Sequence, residues 1–347
     1  MPLFDYKTVD RDCYEAVIRD FLPQRIVDAH THVYRGCFRL AREAEGVDRS
    51  QNWPNLVAEE NPIEDLLETY RILLPDKAVT PLIFGQPSLD YDVGRNNRYI
   101  ADCGKEYGFP ALYLSRPEES AEELEKQLEE SGFQGVKVYL NFSPPYIPAD
   151  EIRIFDFLPH HQLELLDARG AVVMLHIPRP GRLRDPVNLA QMLEIDRRYP
   201  RIRLIIAHVG RAYAEEDLGD ALERLADSHM WMDFCANTNQ QVFEAAIRHL
   251  GPKRLLFGSD LPILRMRMRR IVENGSYINV VPRGLYGDVS GDAHMREVDG
   301  GEAEGLTFFF YEEIAAMRRA AENMQLDRGD IEKMFCGNAV GLLGLVE

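Results

Sequence analysis

The chain has 347 residues, 45% hydrophobic and 28% charged, enough apolar material for a sizeable core, so disorder is not the default reading. Its 57 Asp and Glu against 40 Lys and Arg leave a formal charge of −17, a field that repels polyphosphate backbones and argues against nucleic acid as a partner. Cys13, Cys37, Cys103, Cys235 and Cys336 stand singly and in odd number, which suits a reducing compartment rather than a disulfide framework. The opening MPLFDYKTVDRDCYE is charged where a signal peptide needs an apolar stretch, and no window reaches the roughly 18 apolar residues of a membrane span. A cytoplasmic protein is expected, with no membrane partner.

Short apolar runs recur along the chain at 25–33, 77–84, 109–115, 135–140, 171–177, 203–210, 230–236 and 254–260. Their near-continuous hydrophobicity is that of strands buried on both faces. Helical patterns separate them: one near 62–74, ESAEELEKQLEESG, with Pro117, Glu118 and Glu119 as its opening and Gly132 as its stop, and EEDLGDALERLADS. Eight strand–helix units predict an α/β chain folded as a (β/α)8 TIM barrel, one domain over 1–347. LDRGDIEKMFCGNAVGLLGL is expected to form a C-terminal helical extension.

A minimal barrel takes about 250 residues, so the surplus is expected in insertions. Two segments qualify, about 34–61, with Trp53, Pro54 and Asn61-Pro62, and 261–305, rich in Gly and Asp toward its end. Both leave strands on the face where barrel enzymes carry their sites, and both are read as lids.

His30 and His32 stand at i and i+2 in VDAHTHV, which on a strand puts both imidazoles on one face. His176, His208 and Asp260 close three other strand candidates, AVVMLHI, RLIIAHVG and RLLFGSD. Each alone is equally a hydrogen-bonded histidine or a helix-capping aspartate. Five such groups around one barrel mouth form a set suited to zinc and its divalent neighbours. Lys137, beside Tyr139 and Asn141, is either an ammonium reaching solvent or a partner for substrate. Arg265, Arg267, Arg269 and Arg270 follow Asp260, and Arg179 and Arg182 follow the fifth strand candidate. These are either carboxylate clamps or solvated and intersubunit charges.

Through DAHTH at 28–32, GVK at 135–137, LHI at 175–177, AHVG at 207–210, FGSDLP at 257–262 and the terminal GNAVGLL, the chain resembles the amidohydrolase superfamily. Within it the resemblance is to the amidohydrolase-related (amidohydrolase 2) branch, with its aminocarboxymuconate semialdehyde decarboxylase-like metal-dependent enzymes. The resemblance implies one divalent metal, zinc first, with manganese or another ion as alternatives, held by His30, His32, His176 and Asp260. It also implies His208 as acid and base, with Asp260 as a second proton acceptor. In some branches the lysine matching Lys137 is carboxylated and bridges a second metal, which turns His208 into a ligand; uncarboxylated, Lys137 pairs with a substrate carboxylate. Arg179 and Arg265 are tentative substrate residues, and a homodimer is expected.

The leading function is hydrolysis of a small, carboxylate-bearing ester, lactone or amide through metal-activated water. The alternative is non-oxidative decarboxylation of an aromatic or muconate-like acid. A non-catalytic binding subunit ranks last, since all five metal-competent groups are present.

Overall fold

The computed structural model describes residues 3–40 and 54–345. Part of the 34–61 insertion, 41–53 with Trp53, lies outside the described residues. Each of the eight apolar runs contains a strand: β1 Arg25–His32, β2 Ala78–Phe84, β3 Tyr113–Leu114, β4 Gly135–Val138, β5 Val172–Leu175, β6 Arg203–Ile206, β7 Trp231–Asp233 and β8 Leu255–Leu256. All pair in parallel, β1 with β2 and then β3 through β8 in chain order.

The strands do not form the single unbroken ladder that a closed barrel leads one to expect. Regular pairing lapses at two seams, because β3 and β8 are two residues long and the register of β1 shifts between Asp28 and Thr31. Single parallel bridges, Ile83 to Ala111 and Thr31 to Leu261, cross these seams. So do backbone bonds from Ala29 N–H to Phe257 O, 2.9 Å, and from Leu112 N–H to Ile83 O, 3.0 Å.

Side chains alternate across the strands. Val27, Ala29, Leu82, Phe84, Leu112, Val172, Met174, Ile205 and Leu256 form one apolar cluster, against which the terminal helix Asn338–Leu343 packs Ala339, Leu342 and Leu343. Val136, Val138, Val173, Leu175, Leu204 and Ile206 face the larger cluster beneath the surrounding helices. Those helices are Ile63–Leu73, Val93–Tyr107, Ala121–Ser131, His160–Arg169, Pro186–Arg198, Gln240–Leu250 and Phe309–Asn323.

Gly132 stops Ala121–Ser131 in the left-handed conformation, φ 71°, as expected. The helix starts later than Pro117, at Ser120, whose hydroxyl accepts the Glu123 N–H while the Glu123 carboxylate accepts the Ser120 N–H. The stretch at 215–228 is not one helix: it holds two short turns, Glu215–Asp217 and Ala221–Arg224. Asp217 turns back to accept the Tyr213 and Ala214 N–H groups and the Arg182 guanidinium, and Gly219 takes a positive φ of 51°.

The 261–305 segment also departs from the irregular lid expected of it. It folds into a three-stranded sheet, β9 Arg269–Glu273, β10 Ser276–Pro282 and β11 Met295–Val298, in the order β11-β10-β9. β9 and β10 are antiparallel around Asn274-Gly275, both at positive φ, as a tight hairpin requires. Among the described residues no helix is long and apolar enough to cross a membrane.

Candidate metal centre and substrate cavity

His30 and His32 close β1 with their rings on one face, as their spacing predicts, and each is anchored through Nδ1. His30 Nδ1 lies 2.9 Å from Asp233 Oδ2, and His32 Nδ1 lies 3.0 Å from the Gly85 carbonyl. An Nδ1–H donated to an acceptor fixes the tautomer and leaves the Nε2 lone pair for a metal. Both Nε2 atoms face Asp260 Oδ1, at 3.4 Å from His30 and 3.2 Å from His32. These donors lie within 4.8 Å of one another. Burial and the Lys137 charge push His30 down to about 3, so its ring is neutral. Burial opposes ionisation of Asp260, but the His32 hydrogen bond and the histidines around it outweigh that and hold it down at about 2. Two imidazole nitrogens beside a carboxylate anion are the donor set that a divalent cation requires.

The fold explains how these groups meet. Asp260 takes a positive φ of 50° and donates its N–H to the His30 carbonyl at 2.8 Å, which pins the turn after β8 against the end of β1. His208 follows β6 at φ 60°, and its N–H donates to Asp233 Oδ1 at 2.7 Å. Asp233 ends β7, and its charge is held well below the usual carboxylate range despite burial, by His30 and His208. The remaining Asp233 partners are the Cys235 N–H at 3.3 Å and thiol at 2.9 Å. His208 Nδ1 faces the Cys235 carbonyl at 3.3 Å and thiol at 3.1 Å, and burial lowers its pKa.

His176 follows β5 and lines the same cavity, with its ring 4.5 Å from Tyr139 and 5.3 Å from His208. It is not part of the close donor group, but its Nδ1 is buried without a hydrogen-bond partner among the described residues, which suits a group awaiting a cation. Lys137 Nζ lies 3.3 Å from His30 Nε2 and 5.0 Å from the Phe84 ring centre. Burial pulls its pKa down to about 8. Residues, donors and orphaned nitrogen therefore fit a divalent ion.

The cavity has a volume of about 330 Å³, in the range of small-molecule sites. Two of the expected substrate residues, Arg179 and Arg265, are not in its lining. The Arg179 Nε donates to Asp185 at 3.2 Å. Arg265 is buried away from the cavity, donating to Asn61 Oδ1 and to the Asp65 carbonyl. Arg267 is bound to Asp10, and Arg269 is exposed. The arginines that line the cavity are Arg182, Arg211 and Arg270.

Sequence reasoning passed over Asp233, which sits in the middle of the run MWMDFCA although β7 ends on it. It also passed over Cys235, Arg211, Tyr213, Tyr277 and His294; the last two lie in the 261–305 segment, where no motif marks them.

The family pattern for amidohydrolases matches residues 27–345. The chain belongs to the amidohydrolase family. Solved structures of this family's fold include an amidohydrolase from Burkholderia multivorans with bound zinc, 15% identical over 92% of this chain and 99% of that one, TM-score 0.59. Dihydroxybenzoic acid decarboxylase from Polaromonas sp. JS666, with manganese and 2-nitroresorcinol bound, is 16% identical over 93% and 98%, TM-score 0.54. A protein described as a probable 2-pyrone-4,6-dicarboxylic acid hydrolase, from Acinetobacter baumannii with citric acid bound, is 16% identical over 92% and 99%, TM-score 0.54. No curated protein matches the sequence. By family this chain is an amidohydrolase, and hydrolases and decarboxylases are among the solved structures that share its fold.

Proposed function

We propose that this amidohydrolase is a single-domain (β/α)8 barrel enzyme, over 1–347, that hydrolyses a small carboxylate-bearing ester, lactone or amide with one divalent ion, zinc first. The observation that carries the reading is the convergence of His30 Nε2, His32 Nε2 and Asp260 Oδ1 in a cavity that arginines also line. His176, whose Nδ1 has no partner among the described residues, is the fourth ligand in this reading. Eight parallel strands, with bridges across both seams, support the barrel.

An ion held there supplies Lewis acidity, polarising a substrate carbonyl and activating water. The chain's own groups manage the protons. Asp260, ionised at neutral pH, accepts the proton of the attacking water. His208, kept toward its neutral form by burial and with its Nδ1 turned to the Cys235 carbonyl, takes that proton over from Asp260 on its other nitrogen and passes it to the leaving group. Lys137 orients a substrate carboxylate; in its carboxylated form it would instead bring a second ion, and the metal count per chain separates the two.

One observation favours decarboxylation as a second reading. A cation, Lys137, adjoins the donors on one side of a cavity whose lining also holds His208, so a carboxylate placed beside Lys137 would leave His208 to protonate the carbon it departs from. Protein reconstituted with zinc or manganese should open lactones or cleave esters without releasing carbon dioxide. Carbon dioxide from hydroxybenzoates, with no hydrolysis, would reverse the ranking. Unchanged metal content and activity in His176→Ala would sink the ligand set. Five free cysteines favour a cytoplasmic setting, and light scattering tests the expected homodimer.

A further inference from the structure

The β9–β11 sheet is additional to the strand–helix units and it reaches the cavity, supplying Arg270 from β9, Tyr277 from β10 and His294 just before β11. The arginine is held in an aromatic setting. Its Cζ lies 4.8 Å from the Tyr213 ring centre, 4.7 Å from Tyr277 and 4.6 Å from Phe309. Arg182, from the turn after β5, lies over the same two tyrosines, 5.2 Å from Tyr213 and 5.1 Å from Tyr277. The tyrosines meet edge to face at 5.0 Å, and His294 stacks on Tyr277 at 4.2 Å.

Two guanidinium groups brought to the same rings repel each other unless an anion meets them. The protein supplies one partner: Asp217 accepts from Arg182 at 2.6 Å. Arg270 donates to neutral acceptors, Asn279 Oδ1 at 2.9 Å and the Ala236 carbonyl at 2.5 Å. Arg211 likewise spends its Nη1 on the carbonyls of Ile177 and Pro178 at 3.2 and 3.1 Å. Among the described residues no carboxylate pairs with Arg211 or Arg270. The β9–β11 sheet, here the cap, thus brings to the cavity lining an Arg270 guanidinium that no carboxylate among the described residues pairs with.

We propose that Arg270 of the cap, together with Arg182, binds a carboxylate of the substrate remote from the reacting bond, and so makes the β9–β11 sheet the specificity element of this enzyme. The inference rests on the proposed function, and it names the substrate class more closely: a small acid with at least two carboxyl groups or a carboxyl far from the scissile carbonyl. The Tyr213, Tyr277 and Phe309 faces hold the Arg270 fork in place before substrate arrives, so little side-chain freedom is lost on binding.

The test uses the metal-loaded protein and titration calorimetry with isophthalate, terephthalate and benzoate. The two dicarboxylates differ in the spacing of their carboxylates, and benzoate has one. Wild type should bind the better dicarboxylate about tenfold or more tightly than benzoate, the factor expected of one charge-assisted, two-point contact. Arg270→Gln should erase that preference. Arg182→Gln, which is not on the cap, should erase it too, and it keeps the test valid if Arg270→Gln disturbs the cap's folding. A wild type without the preference, or a preference that survives both substitutions, would overturn the proposal. Metal content measured on the same samples separates this outcome from failure of the metal centre: Arg270→Gln should leave it unchanged.

Discussion

Asp233 is shared by four groups: the His30 ring, the backbone N–H groups of His208 and Cys235, and the Cys235 thiol. It is not in the lining of the substrate cavity, yet it sets which His30 nitrogen is left for a metal. Asp233→Asn keeps the shape and removes the anion, so metal affinity should fall roughly 10- to 100-fold, as for other groups that orient a ligating histidine. Competition with a chromophoric chelator measures this, and wild-type affinity would show that His30 is oriented by other means. Glu313 poses a different problem. It is fully buried in Phe309–Asn323, and burial with Asp28 nearby pushes its pKa well above the ordinary value, against the opposing pull of the Ala236 backbone. A carboxyl whose folded pKa is raised holds its proton better when folded, so its contribution to stability is present at acid pH and is lost as pH rises above the unfolded value. Glu313→Gln should therefore gain stability over wild type between pH 5 and pH 8, with the gap widening upward. Urea midpoints at the two pH values check the sign.

At the scale of elements, Gly135 at the start of β4 is fixed by its neighbour: a Cβ there would lie 1.8 Å from the Val172 carbonyl oxygen of β5. Gly135→Ala should cost more than about 4 kcal/mol or prevent folding, whereas Gly132→Ala, at a helix end in open space with φ 71°, should cost about 1 kcal/mol. Urea unfolding of both separates packing from backbone preference, and equal losses would contradict the β4–β5 register. The eight strands were legible because strands buried on both faces are written as continuous apolar runs. For the same reason their ends were overextended. His176, His208 and Asp260 belong to the runs as sequence but leave the ladder as structure, and the last two do so at positive φ. The 215–228 stretch misled in the opposite way. Its Leu218, Ala221, Leu222 and Leu225 keep helical spacing, but Asp217 is drawn to Arg182 and the Tyr213 N–H, partners distant or invisible in a local pattern. Of the cap, only the Asn274-Gly275 hairpin turn was written locally. Arg182 and Arg270 were legible as candidates, but their place beside the same tyrosines is set by tertiary packing.

For the molecule as a whole, a buried ion pair ties the N-terminal segment to the segment that follows β8. Arg267, just past β8, donates two bonds to Asp10, at 2.9 and 2.7 Å, and Thr307 donates a third at 2.7 Å. Asp10→Ala would strand the guanidinium in the interior, and a loss of about 3–5 kcal/mol is expected, read as a lowered thermal midpoint. The surroundings of this pair also define where the cap is attached. Arg267 bridges Phe308, Met268 N–H donates to Thr307 O at 3.0 Å, and Phe309 N–H donates to Met266 O at 2.7 Å. The polypeptide therefore departs for β9–β11 and comes back at one stem, while the groups that would hold the ion stand on β1 and at the ends of β5 and β8. A segment with a single point of entry and return can be grafted between homologous frameworks as a cassette. Substrate preference in such a lineage can drift by exchange of that cassette, with the ion's ligands untouched.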